Sequence, residues 1–257
     1  MFAFLIKKCF FDVWDNLISV MLLNLGFVLI GGGALYLFYL LSFNMTLAFI
    51  GGAVGILLIN FYLATASFAA RDISNYATPP FRELGEYFKQ TWKSAVGLAV
   101  ATIIQLAVLF VAMPFYLQVG GLLGMTAVAV IFWASVIWWA ASQYYYAVRA
   151  RLDARIGKLF KKSFILLFDN TLFTIGLGLG TIFILAVSVF TAFLIPGVTS
   201  VLVWHQDALK LRLYKYDYLE KNPGANRRAI PWETLLIDDR ERVGHRTFRG
   251  MIFPWKE

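Results

Sequence analysis

Charge is what this chain has least of. Only 15% of its 257 residues are Asp, Glu, Lys or Arg, against about 25% in soluble domains, and 60% are hydrophobic, against about 45 to 50%. A water-soluble globular domain is excluded. Cysteine is limited to Cys9, which permits no intramolecular disulfide and no paired-thiol metal site. With two histidines, and without HExxH, GxSxG, Walker or intramembrane carboxylate-pair patterns, neither metal hydrolysis nor nucleophilic catalysis has a visible set of residues. We expect no enzyme, no metal and no cofactor. A cleaved signal is not expected either, because Lys7 and Lys8 follow a short apolar start and Asp12 and Asp15 occupy the place of an apolar core. The first membrane helix is then its own insertion signal.

What the chain does have is apolar runs of 20 residues and more, which make lipid the solvent for most of it. All 23 Lys and Arg fall into four blocks: Lys7 and Lys8; Arg71 to Lys93; Arg149 to Lys162; and Lys210 onward. Basic flanks stay on the cytoplasmic side, so three uncharged stretches between four basic blocks imply three excursions across the membrane and back. The expectation is an all-α polytopic protein of six transmembrane helices in three hairpins, with both termini cytoplasmic at a bacterial plasma membrane. The first hairpin pairs Leu17–Leu41 with Met45–Ala69, and the second pairs Ser94–Leu117 with Leu122–Val148. The third turns at Pro196-Gly197 after a tilted helix of about 25 to 30 residues. Its second arm soon meets His205, Gln206, Asp207 and Lys210, so five spans plus a kinked extension is the alternative. Residues 1–218 form the membrane domain and 219–257 a basic, aromatic tail.

A motif recurs at the entrances: Ile6-Lys7-Lys8-Cys9-Phe10, Phe88-Lys89-Gln90-Thr91-Trp92 and Phe160-Lys161-Lys162-Ser163-Phe164. In the first and third copies Trp14-Asp15-Asn16 and Phe168-Asp169-Asn170 follow at the same offset. Internal duplication explains this; so does interfacial chemistry, because snorkelling lysines and headgroup-level aromatics generate similar strings. Thr78–Trp92 reads as an amphipathic helix lying on the membrane surface. Arg149, Arg151, Arg155, Lys158, Lys161 and Lys162 read either as an anionic-lipid contact or simply as a topology determinant.

Gly51 with Gly55, Gly120 with Gly124, and Gly176 with Gly180 have the spacing that lets membrane helices approach closely. Gly176 to Gly180 lacks the strand and polar helix start that a nucleotide-binding loop needs. The ligand-site candidates are His205, Gln206 and Asp207, since intramembrane ionisable groups are functional by default. The opposing reading places them where the last helix leaves the membrane, with Asp207 paired to Lys210 one turn on. In the tail, Asn222-Pro223-Gly224 reads as a turn and Asp238–Arg242 as a short helix, while Trp232, Phe253 and Trp255 suggest docking on the chain's own loops, the bilayer or a partner. Eight acidic residues from Asp207 onward dilute the basic field, and nucleic acid is not expected.

As a whole the pattern resembles the bacterial YesL-like family of integral membrane proteins, a domain family of unknown function. The resemblance rests on Asn24 in a leucine-rich first span, on Arg71-Asp72 through Phe81, Tyr87, Phe88, Trp92 and Lys93, and on Ile195-Pro196-Gly197 before a last helix; it covers roughly residues 5 to 215. The chain departs from the family in its longer tail and in His205-Gln206-Asp207. The resemblance implies an accessory role beside sugar ABC transporters and supplies no catalytic residues. The expected function is a non-catalytic accessory or assembly subunit that binds other integral membrane proteins and anionic lipids. The alternatives are a small-molecule or lipid transporter, or a pigment- or haem-binding subunit through His205.

Overall fold

Backbone in hydrocarbon must satisfy its own N–H and C=O groups, which a helix does within one segment. The computed structural model describes residues 1–227, 229–244 and 246, and among them no strand occurs. Five stretches are long and apolar enough to cross a bilayer: Leu17–Leu41, Met45–Ser74, Phe81–Val119, Gly121–Arg151 and Thr171–Phe190. The chain is an all-α polytopic membrane protein.

The first hairpin pairs α2 (Leu17–Leu41) with α3 (Met45–Ser74). Asn44 ends the turn by accepting from the backbone N–H groups of Thr46 and Leu47 at 2.9 and 3.2 Å, the satisfaction a helix start requires. Gly51 and Gly55 let the two helices touch: a Cβ on Gly55 would lie 3.1 Å from that of Ala34, and one on Gly51 2.9 Å from the Leu41 side chain.

The second hairpin runs up α4 (Leu84–Ala107), a π-helical turn at Val108–Ala112 and α5 (Met113–Val119), then down α6 (Gly121–Ser142) and α7 (Tyr145–Arg151). The wide turn absorbs Pro114, whose ring would otherwise collide with the carbonyl four residues back. Gly120 and Gly121 form the reversal at φ values of +63° and +62°. Gly120 is therefore a turn residue and not the helix-packing residue expected, while Gly124 lies so close under the Tyr116 carbonyl that a Cβ would sit 2.5 Å from it. The separate surface helix expected over Thr78–Trp92 is not present: a short 3-10 turn, Phe81–Glu83, passes straight into α4, since no breaker follows Pro80.

The third unit differs from expectation. Where one tilted helix of 25 to 30 residues was expected, α8 (Ile156–Asp169) and α9 (Thr171–Phe190) are separated at Asn170. The amino terminus does the same: α1 (Phe2–Asp15) breaks at Asn16 before α2. Both leading helices have 14 residues and both end in Asp-Asn. Both asparagine amides donate back one turn, Asn16 to the Asp12 carbonyl at 3.0 Å and Asn170 to that of Leu166 at 3.2 Å. Both aspartates take cations from the C-terminal region, Asp15 from Arg246 and Asp169 from Lys215 and Arg227. The first and third units thus share a leading helix broken at asparagine. The middle unit, with an unbroken α4, does not.

The sixth long helix, α10 (Gly197–Lys221), is the buried centre of the fold, and it runs three residues past the domain boundary expected at 218. Its start is held by Asn24, which donates to the Leu194 and Pro196 carbonyls (2.9 and 2.8 Å) and accepts from the Thr199 N–H (2.8 Å), while Ser188 Oγ accepts from Gly197 N–H at 2.9 Å. Gly197, at φ +68°, lies so close to the Asn24 amide that any Cβ would overlap it. Asn24 is near the beginning of α2, and the tip at Leu41 lies a further 26 Å or so along that helix at 1.5 Å per residue. The third hairpin therefore turns alongside the inner part of the first and stops well short of its tip.

That offset is directly measurable. In a Cys9→Ala background, Phe43→Cys should react in intact membranes with an impermeant maleimide from the side that carries Ser42–Asn44. Phe193→Cys, in the third turn, should not. Equal labelling of both would mean that the hairpins reach the same plane.

Candidate functional site

The three candidate ligand residues sit on consecutive positions of α10, about 100° apart, and so face three different neighbours. His205 Nε2 lies 2.9 Å from Thr181 Oγ1 on α9. The Thr181 hydroxyl also lies within hydrogen-bond distance of the Leu177 carbonyl and the Gln143 amide, at 3.0 and 3.1 Å, so Nε2 is enclosed by groups of this chain. The nitrogen that a haem or chlorin metal would use is thereby engaged. The Gln206 amide donates to the Ser67 carbonyl and hydroxyl at 3.1 and 2.9 Å, and its oxygen accepts from Arg151 Nε at 2.9 Å. Asp207 pairs with Lys8 at 2.9 Å and accepts from the Ser74 hydroxyl at 2.7 Å.

The pairing of Asp207 with Lys210 expected from sequence is overturned. Lys210 reaches out instead to Asp239 on α12 (Ile237–Val243), at 2.9 Å, where Tyr76 also donates at 2.7 Å. The reason is the docking of α1, which brings Lys8 to the inside of α10 and leaves Lys210 to the tail. Lys8, Asp12 and Asp207 are 0%, 3% and 0% exposed, a density of buried charge that only mutual pairing can sustain. Burial pushes the Asp12 carboxyl up to about 8, with the charge of Asp207 adding to it and Lys8 opposing. Burial would lower Lys8, but Asp207 and then Asp12 outweigh it and its pKa is raised. At Asp239 burial acts upward, yet Tyr76 and Lys210 together hold the carboxyl below its ordinary range.

Arg151 does not lie on the headgroup surface expected for it. It is turned inward, donating to Gln206, to Ser74 Oγ at 2.8 Å and to Asn75 at 3.1 Å. Arg149 folds over the Phe68 ring and donates to the Gln90 carbonyl. Lys158 and Lys162 share Asp153, while Arg155, Lys158 and Lys161 stay exposed at the start of α8. Trp232, on α11 (Trp232–Leu235), is half-buried against the chain's own core with Arg212 facing its ring, so it serves this chain and not a free docking surface. The tail is likewise no separate unit: Leu236 and Val243 are buried, and Lys7 donates to the Gly244 carbonyl. Phe253 and Trp255 lie outside the described residues. Gly176 and Gly180 pack as expected of helix contacts, against Phe2 of α1 and Trp204 of α10.

One group escaped the sequence reading. Tyr144, Tyr145 and Tyr146, where α6 meets α7, point in three directions: Tyr144 to Thr174 on α9 (2.8 Å), Tyr145 to the Ser94 carbonyl on α4 (3.0 Å), Tyr146 to Asn60 on α3 (2.7 Å). Three consecutive tyrosines beside a basic loop were the available signal.

No family model, no curated protein and no solved structure matches this chain.

Removing Lys8 alone strands a buried carboxylate. Lys8→Met should cost about 3 to 5 kcal/mol, measured as lost thermal stability in detergent, and the double variant Lys8→Met/Asp207→Leu should recover a large part of it. A double variant as unstable as the sum of two independent losses would show that the pair is not coupled.

Proposed function

We propose that this protein is a non-catalytic integral membrane subunit that assembles with other integral membrane proteins. The observation that carries this is Gly31-Gly32-Gly33 in the middle of α2. Each glycine costs a helix roughly 0.5 to 1 kcal/mol relative to alanine. Gly51, Gly55, Gly176 and Gly180 are each matched by a side chain of this protein lying where a Cβ would go, but at Gly31, Gly32 and Gly33 nothing lies within 4 Å. In hydrocarbon, small residues serve close approach of another helix, and the occupant that fits is a transmembrane helix of a partner. The use of His205, Gln206, Asp207 and Arg151 as ties between helices agrees with a rigid subunit.

The wider setting belongs to the same proposal. The described basic blocks collect at the end of the helices that carries α1 and α12, which supports a cytoplasmic placement for that end at a bacterial plasma membrane. Arg155, Lys158 and Lys161, exposed at the start of α8, suit anionic headgroups. The YesL-like resemblance makes a sugar ABC transporter a reasonable partner to look for.

A transporter is the second reading, favoured by one feature: a hairpin that turns part-way along its neighbours at Pro196-Gly197. It requires that substituting His205 by Leu abolish flux of the transported species.

The subunit reading predicts that Gly32→Leu, in tagged protein purified from native membranes in mild detergent, keeps wild-type thermal stability and loses at least about tenfold of the co-purifying membrane partner, roughly the effect of 1.4 kcal/mol at the interface. A wild-type protein that purifies alone would remove this reading.

A further inference from the structure

Among the buried polar atoms of the charge cluster, Asp207 Oδ2, like Asp239 Oδ2, stands without a hydrogen-bond donor. The donors around it are already committed. Lys8 Nζ gives to Asp12, to Asp207 Oδ1 and to the Ser74 carbonyl. From α3 and the turn after it, the Ser74 hydroxyl is on Asp207 Oδ1 and the Tyr76 hydroxyl on Asp239. From α7, Arg151 is divided among Gln206, Asn75 and Ser74. On α10, the Gln206 amide is on Ser67 and Lys210 is on Asp239 and the Ser74 carbonyl. On α12, Arg242 lies against the Tyr76 ring, and on α1 the Cys9 thiol faces the Ser200 carbonyl. What remains facing Asp207 is Asp12, a second carboxyl over the same ammonium group.

We propose that Asp12 and Asp207 form a proton-binding pair: one proton sits on Asp12 and is donated to Asp207 Oδ2, and it is exchanged with water at the end of the helices where α1 and α12 lie. A buried carboxylate oxygen without a donor is destabilising, and a single proton between the two carboxyl groups supplies the missing donor. The two ammonium groups then each face one carboxylate. Lys8 balances Asp207, Lys210 balances Asp239, and Arg151 meets Asp207 through the Ser74 hydroxyl. The pKa directions agree, since Lys8 is held charged while Asp12 is held neutral up to about 8.

Loss of the proton places a second negative charge beside Asp207, on α1, and so loosens α1 from α10. The folded carboxyl is raised above its unfolded value, so the stability it contributes is complete in acid and is lost as pH rises through about 8. The site is independent of the assembly reading, because it involves no partner.

The test is an infrared pH titration of the whole protein in lipid nanodiscs. Exposed carboxyl groups titrate near pH 4, so they are silent in the window from about pH 6 to about pH 10. In that window wild type should lose one protonated-carboxyl C=O band with a midpoint near 8, and Asp12→Asn, which imitates the protonated form, should lack it. Hydrogen-exchange protection factors along α1, taken against the intrinsic exchange rate at each pH, should fall above the midpoint in wild type and stay level in Asp12→Asn. Absence of a titrating carboxyl band in wild type overturns the proposal whether or not the variant folds. Persistence of the band in folded Asp12→Asn overturns it as well.

Discussion

The contact between Lys8 and Asp207 is the constraint on which the inner half of the fold depends. Both groups are fully buried, so neither tolerates the absence of the other, and together they bind the first helix to the last. Around them the second layer is hydrogen-bonded and not apolar: Ser74 reads the carboxylate, Arg151 reads Ser74, and Gln206 ties Arg151 to Ser67 on α3. The cluster joins α1, α3, α7 and α10 into one body. The short helices of the tail then cover it through Asp239.

Higher up the bundle a different device holds the helices. Hydrocarbon supplies no hydrogen bonds, so the irregular backbone between α9 and α10 survives because Asn24 and Ser188 take over the bonds that a helix would have made. The three tyrosines of the α6–α7 junction serve the same end between elements, each placing one hydroxyl on a different helix. Farther out, contact between helices is made by glycine, as at Gly55 against Ala34 and Gly124 under Tyr116.

The first two hairpins were legible because composition and charge alone determine where a chain crosses lipid: α2 has the expected limits, and the turns at Ser42–Asn44 and Gln118–Gly121 are where the apolar runs pause. The break shared by the first and third units was visible in Asp15-Asn16 and Asp169-Asn170, although strings alone could not separate duplication from interfacial preference. What was not legible depends on tertiary choice. Asp207 had a cation one turn away in sequence and took one from the other end of the chain. Arg151 looked like its basic neighbours and was turned inward. Gly31 to Gly33 drew no notice, because their significance lies in what fails to touch them.

The pairing of the first helix with the last also has a bearing on biogenesis. Lys8 and Asp12 leave the ribosome about 200 residues before Asp207, so each new molecule passes through a period in which its first two hairpins are made while their inner end is unsealed. During that period α1 has an apolar face and a lysine paired only with Asp12 on its own helix, without the second carboxylate that α10 brings. Completion of α10 supplies the carboxylate that closes α1 onto the core.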